Sequence, residues 1–518
     1  MRTIPGPLFF RLSDALDLPV FFKGMEKSFT FQAQPVRKET LDWFDTFDWK
    51  AWSRKSAIVR SGSRLAILDM KSGHELCDAP LRKQPRSFFP NDIDDKKTAS
   101  RLLGISKLRA FILYGSVETE TRKWRILDEN RKTVASIELL SLPGKKDGKR
   151  QLFMKLSPVR GYGKELETVA GHLKQYPDHS EKITCLDYHK EILTAAGITP
   201  ASYSSKPSVK LKPGDTIQDS ARKLLLPTLG VLYANEKWIS KNIDTEFLHD
   251  YRVAVRRTRS ILVQLKGIFP PEELSRYKKV FRELGKRTGN LRDLDVYLLQ
   301  ADRFRNLLPG TMRDSLDTFF TDLGNRHKKE LKSLNRYLGS EKHTRLMREW
   351  EAFLRSEMPS DPDITPKAGT KTSDVAVSTI RKAWKKVIRH GREISGTATD
   401  TERHTMRIEC KKLRYLLEFY ASIFPAKNLQ TVVRQLKTLQ DNLGTFVDLS
   451  VQQGYLNNYL SRLEPGADNI SSTASIGGLV TALYHERENV RMNFHNAFDT
   501  FDTPETEALF NELLNKHR

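Results

Sequence analysis

One segment of this chain is written twice. Leu248 to Pro270 reads LHDYRVAVRRTRSILVQLKGIFP and Arg403 to Pro425 reads RHTMRIECKKLRYLLEFYASIFP, and a constant offset of 155 residues superposes them without a gap. The offset carries His249 onto His404, Arg252 onto Arg407, Arg256 onto Lys411, Arg257 onto Lys412 and Arg259 onto Arg414. It continues to Leu284/Leu439, Gly289/Gly444, Asp293/Asp448 and Val296/Val451, and backwards to Asp219/Asp374 and Ala221/Ala376. A duplication held in register over this length predicts two tandem helical units that pack together.

On a wheel of about 3.6 residues per turn, His249, Arg252, Arg256 and Arg259 fall within a stripe of roughly 80°. Ala254, Val255, Ile261, Leu262 and Leu265 take the broadly opposite arc, the side that buries against neighbouring helices. The second copy repeats the stripe with His404, Arg407, Lys411 and Arg414, and places Ile408, Leu416, Leu417 and Tyr420 elsewhere. Most charge runs on helices are solvated faces. Here cations one turn apart repel by a few tenths of a kcal/mol per pair, and between the histidine and the last arginine stands a single acid, Asp250 or Glu409. The same costly pattern at the same spacing twice over predicts a ligand that relieves it. Arginine forks give bidentate hydrogen bonds to phosphate oxygens, and lysine acts as a point charge. Asp293 and Asp448 are expected to orient a repeat histidine or arginine, or to cap a helix after Gly289 or Gly444, rather than to hold a metal. Arg381, Lys385 and Arg389, and likewise Arg276, Lys279, Arg282 and Lys286, read as solvated basic faces bordering the stripes.

Before the duplication the period is that of strands. Alternation appears at Ser28–Gln34, Arg64–Leu68, Trp124–Leu127, Val134–Leu139 and Leu152–Leu156, with turns such as Asp128–Asn130 and Gly144–Gly148 between the runs. A short helix is expected at Gly163–Gln175. Residues 198–215 turn to Pro, Ser, Lys and Gly, a linker. The expected organisation is therefore α+β and multidomain: an antiparallel, barrel-like β-rich domain at 1–197, the linker, and an all-α domain at 216–518 with repeats at about 216–355 and 374–518. A loop rich in Pro, Asp, Thr and Ser, Ser356 to Ser373, separates the copies.

The 518 residues carry 87 Lys and Arg against 64 Asp and Glu, a formal charge of +23. That excess attracts polyanions, whether nucleic acid, an anionic membrane surface or polyphosphate, without choosing among them. Cys77, Cys185 and Cys410 are far apart and form no CxxC pair, so neither a disulfide framework nor a thiolate zinc site organises the chain. Pro5, Pro7, Arg11, Asp14 and Asp17 interrupt the N-terminal stretch, unlike the apolar run of a signal peptide. No run of about 18 uncharged apolar residues occurs. A cytoplasmic protein without metal, cofactor or membrane span is expected.

His-x-x-Arg followed by a basic cluster and ending at Phe-Pro, present in both halves, resembles the CHAD family, the conserved histidine α-helical domain. Asn290-Leu291-Arg292-Asp293-Leu294-Asp295-Val296 in the first copy adds to the likeness, which covers about 215–518. The resemblance implies two antiparallel helical bundles around a basic pore or groove that binds inorganic polyphosphate through His249, Arg252, Arg256, Arg257, Arg259, His404, Arg407, Lys411, Lys412 and Arg414. The second copy departs at Thr445-Phe446-Val447-Asp448-Leu449-Ser450, a loop without equivalents of Arg292 and Asp295. The N-terminal part is similar to the CYTH or triphosphate-tunnel fold at Trp43–Trp49 and Leu156–Tyr162. Active members open with Glu-x-Glu-x-Lys, where this chain places Thr30, Gln32 and Gln34. Without those carboxylates a hard cation is poorly held, so no triphosphatase activity is expected. Glu118, Glu120 and Arg122 share one strand face and read as an ordinary polar surface. The resulting expectation is a non-catalytic polyphosphate binder, associated with polyphosphate granules. A metal-dependent triphosphatase or polyphosphatase and a nucleic-acid-binding protein are the alternatives, although the stripes carry few aromatics for base stacking.

Overall fold

The computed structural model describes residues 6–81, 84–143, 150–357, 361–394, 398–463, 466 and 469–515. The turn expected at Gly144–Gly148 lies outside them. Two compact units divide the chain, Met1–Ser205 and Lys206–Arg518.

The first unit is built on one antiparallel sheet. Its strands are β1 (Leu8–Leu12), β2 (Thr30–Ala33), β3 (Arg37–Thr46), β4 (Ser56–Ser61), β5 (Arg64–Asp69), β6 (Glu75–Pro80), β7 (Ser87–Phe88), β8 (Phe111–Leu127), β9 (Thr133–Leu142), β10 (Gln151–Pro158) and β11 (Ser180–Ile183). They pair in the order β11-β1-β10-β9-β8-β3-β4-β5-β6, with β2 and β7 both added to β8. Among the described residues no ladder joins β11 to β6, so this path is open where a barrel-like closure was expected. Helices α1 (Leu18–Lys23), α2 (Lys50–Ser53), α3 (Lys96–Ile105), α4 (Gly163–Leu173) and α5 (Cys185–Ala195) accompany the sheet.

Both faces of the central strands are covered. Ile137 and Leu139 of β9 pack with Leu166, Val169 and Leu173 of α4. Leu140 and Leu142 of the same strand pack with Tyr188, Ile192 and Leu193 of α5. A strand apolar on both faces reads as a continuous run, which is why the alternation there is imperfect. Asp45, buried at the end of β3, accepts the backbone N–H groups of Thr46 at 2.7 Å, Ala51 at 2.9 Å and Trp52 at 2.8 Å. It thereby caps α2, and burial pushes its carboxyl up to about 7.

The second unit is helical: α6 (Ile217–Ile239), α7 (Glu246–Gln264), α8 (Pro271–Arg287), α9 (Gly289–Leu299), α10 (Ala301–Asn306), α11 (Asp317–Leu338), α12 (Glu341–Arg355), α13 (Thr372–Glu393), α14 (Asp400–Phe419), α15 (Ala426–Leu460), α16 (Ile470–Met492), α17 (Phe494–Asp499) and α18 (Pro504–Asn515). The offset read from the sequence relates α6 to α13, α7 to α14 and α11 to α16. The copies differ in where helices break. The stretch that is α8, α9 and α10 in the first copy is the single 35-residue α15 in the second, and the stretch of α12 is divided between α17 and α18. The helix breaks at Thr288, whose hydroxyl donates to the Leu284 carbonyl at 2.8 Å, where the second copy has Leu443 buried inside an unbroken helix. Gly444 and Asp448 are therefore mid-helix. Asp448 caps nothing, and Thr445–Ser450 is helix rather than the expected loop.

The two copies share a core. Leu294 and Tyr297 of α9 and Phe319 and Leu323 of α11 pack with Leu449 and Leu456 of α15 and Ile476, Leu479 and Leu483 of α16. The rings of Tyr297 and Tyr455 lie 4.6 Å apart across the junction. Aromatic pairs at this spacing contribute beyond their area burial.

Candidate functional site

Helices α7 and α14 carry the two stripes, and both begin on polar turns. Thr399 caps α14 in a reciprocal capping box with Glu402, which satisfies two of the orphan N–H groups. In α7 the apolar arc is buried as the wheel requires: Ala254, Val255, Ile261 and Leu262 are each about 1% exposed. In α14 Leu416, Leu417 and Tyr420 are buried, but Ile408 is 54% exposed. It sits with Thr405 and Lys412 on a face of α14 turned to an open groove, not to the core.

The ridge arginines are anchored by groups of their own copy. Arg252 donates to the Gly285 carbonyl at 3.0 Å and to the Thr288 hydroxyl at 2.9 Å. Arg407, its equivalent, pairs with Asp448 at 3.1 Å. Arg414 donates to Glu418 at 2.8 Å and Gln440 at 3.1 Å. Arg259 lies so close to Gly285 that a Cβ there would stand 3.1 Å from its guanidinium, and one at Gly289 would stand 3.7 Å from that of Arg252. Only at Gly285 is the approach tight; at Gly289 it is ordinary contact.

Electrostatics couples particular residues of the two copies. Burial, with Arg407, Arg256 and Arg414 around it, pulls the Lys411 ammonium down to about 8. Arg256 belongs to the other copy. Burial lowers Arg252 while Asp293 opposes the change. Burial raises Asp293, with Arg252 and Arg292 pulling it down and Asp448 of the other copy pushing it up. Cations from both repeats and their two equivalent aspartates thus occupy one neighbourhood. The acid within the second stripe segment serves elsewhere. Glu409 is buried and ion-paired to Lys386 and to His390 of α13, each at 2.7 Å. Asp250 of the first copy is buried as well.

Against the known families, the CHAD domain model matches residues 223–457. The helical unit carries a CHAD domain. Among solved structures, the crystal structure of the CHAD domain from the plant Ricinus communis is 20% identical, covers 57% of this chain and 95% of its own, and has a TM-score of 0.48. PptA from Streptomyces chartreusis is 15% identical, with 55% and 99% covered and a TM-score of 0.43. No curated protein matches the chain.

Within the CHAD domain Arg257 and Lys412 stand apart from the ridges. The Arg257 guanidinium lies 5.9 Å from the centre of the Phe419 ring, and Lys412 lines the groove beside Ile408. His249 is half-buried and His404 exposed. One arginine escaped the sequence reading. Arg403 is 1% exposed, its guanidinium 5.3 Å from the rings of both Phe446 and Phe494. Its equivalent in the first copy is Leu248, so the offset itself marked position 403 as a core position holding an arginine. Arg292 sits near Glu246 at 3.9 Å and donates to the Thr245 carbonyl at 3.4 Å. Of the bordering faces, Arg276 is ion-paired to Glu349.

In the first unit Thr30 and Gln32 lie on β2, paired with Leu127 and Arg125 of β8, and are exposed. Glu118, Glu120 and Arg122 alternate onto one face of β8, where Arg122 and Glu120 pair at 2.9 Å. Among the described residues no group of three or more His, Cys, Asp or Glu is placed to hold a metal. All three cysteines are free and buried. No described helix is long and apolar enough to cross a membrane.

Proposed function

We propose that the CHAD domain binds inorganic polyphosphate, without catalysis, along the two ridges of α7 and α14. The observation that carries this reading is the crowding of Arg256, Arg407 and Arg414 about Lys411, whose ammonium is pulled down by burial and then by these neighbours. A fold that holds cations together at this cost has a use for an anion that removes it. Arg407 offers a fork partly spent on Asp448, which a stronger phosphate partner would displace. A flexible chain with about one charge per phosphate would span both ridges and release counterions, giving strongly salt-dependent affinity. Such a protein would collect on polyphosphate granules.

Nucleic acid is the competing polyanion. The ridge residues are His, Arg and Lys, with no aromatic platform among them for stacked bases. Competition between polyphosphate and single-stranded DNA for the full chain, at about 0.15 M salt, tests the reading. Polyphosphate should displace the DNA at far lower phosphate concentration than the reverse. Equal competition phosphate for phosphate would reduce the assignment to a general polyanion surface.

A further inference from the structure

The face of α14 beside the ridge borders a groove of about 1000 Å³ within the helical unit, at the upper end of the size range of small-molecule sites. Lys266, Lys367, Lys382, Lys386 and Lys412 line it, against only Asp374 and Glu409. Glu409 is already spent on Lys386 and His390. The walls are nonetheless apolar in part: Val263 at 53% and Ile408 at 54% are among the more exposed large hydrophobic residues of the molecule, one from each copy of the duplication. A solvated cationic face would not expose both.

The internal repeat shows what shape is missing. In one half, Arg257 of α7 packs against the ring of Phe419 on α14. The same offset turns this pair into Lys412 of α14 and Gln264 of α7, and both line the groove. Where one half supplies an aromatic ring beside a cation, the other supplies the cation and leaves the ring's place open. Gln264 donates its amide N–H to the Ser260 hydroxyl, and its carbonyl oxygen is buried without a hydrogen-bond partner. That acceptor suits an amino group on a ring.

We propose that this groove is a second ligand site, distinct from the ridges, which takes a nucleoside polyphosphate. Its base fills the place that Phe419 fills in the other half, between Val263, Ile408 and Lys412, and an exocyclic amine donates to Gln264. Its phosphates pair with the remaining lysines. A ring stacked near an ammonium gains a cation–π contribution, and an unpaired buried acceptor that finds a donor is relieved of its desolvation cost.

The test is calorimetric titration of the full chain with ATP, inorganic tripolyphosphate and adenosine at about 0.15 M salt. ATP is expected to bind at least tenfold more tightly than tripolyphosphate or adenosine, because the site needs both ring and charge. Ile408→Asp, at an exposed position, should weaken ATP at least tenfold and leave long-chain polyphosphate binding unchanged. Arg252→Ala with Arg407→Ala should do the reverse. Tripolyphosphate matching ATP would overturn the proposal, as would loss of ATP binding in the ridge variant with none in Ile408→Asp. Absence of ATP binding by a chain that still binds polyphosphate would refute the groove site and leave the ridge reading standing.

Discussion

Replacing Lys411 by Met separates what the ridge costs the fold from what it does for a ligand. The ammonium is pulled from 10.5 to about 8 by burial and by the arginines of both repeats. At ~1.4 kcal/mol per pH unit that gap corresponds to about 3 kcal/mol, and screening at a side chain still partly in water reduces it to about 1.5–2 kcal/mol. The sign follows from proton counting. Below pH of about 8 the lysine is charged in both folded and unfolded chains and the folded state bears the full cost. Between about 8 and 10.5 the folded chain has released the proton and the unfolded chain keeps it, so stability rises with pH across that window. Lys411→Met should therefore raise the Tm of the helical unit at pH 7 by about 3–6 °C, with the gain vanishing towards pH 10. The same variant should bind polyphosphate about tenfold more weakly at pH 7. For the unaltered chain, a bound polyanion favours the charged lysine, so affinity should fall as pH rises above about 8 and binding should take up a proton there. Calorimetry in buffers of different ionisation enthalpy reads that proton, and scanning calorimetry at pH 7 and 10 reads the stability. A Tm at pH 7 that falls, or a gain that persists unchanged at pH 10, would refute the claim that the ridges crowd Lys411.

Arg252→Ala with Arg407→Ala should weaken polyphosphate more than tenfold with far-UV circular dichroism unchanged, whereas Arg101→Ala with Arg345→Ala, both exposed, should change it less than twofold. Raising salt from about 0.05 to 0.2 M should cost polyphosphate affinity several orders of magnitude if six or more phosphates are neutralised; a flat response in a salt titration would argue against a multi-site contact. Gly391→Ala should destabilise the helical unit by several kcal/mol despite alanine's better helix propensity, because its methyl would collide with the Phe498 ring; an unaltered Tm would show that the contact yields. Asp45→Asn should destabilise the first unit by about 1–3 kcal/mol in a urea melt, since one of the acceptors for the Thr46, Ala51 and Trp52 N–H groups becomes an NH2 group.

Where periodicity was regular and each face had one fate, the sequence was sufficient. The 155-residue offset matched α7 to α14 residue for residue, and the one-turn spacing of His249, Arg252, Arg256 and Arg259 put them on one side of their helix, because helical geometry is local. Asp448 pairs with Arg407, and Asp293 acts electrostatically on Arg252. Other features depended on partners far away in the chain. Glu409 looks like a counter-charge on its own helix but is claimed by Lys386 and His390 of α13. Ile408 has the hydropathy of a core residue and faces an open groove. Arg403 has the hydropathy of a surface residue and is buried between two rings. β3 went unrecognised because its second half, from Asp42 to Thr46, is buried on both faces and loses the alternation that announces a strand. What the linear order of residues determined was which side chains share a face. Only the packing of one repeat on the other decided which faces meet, and with that which charges go unneutralised.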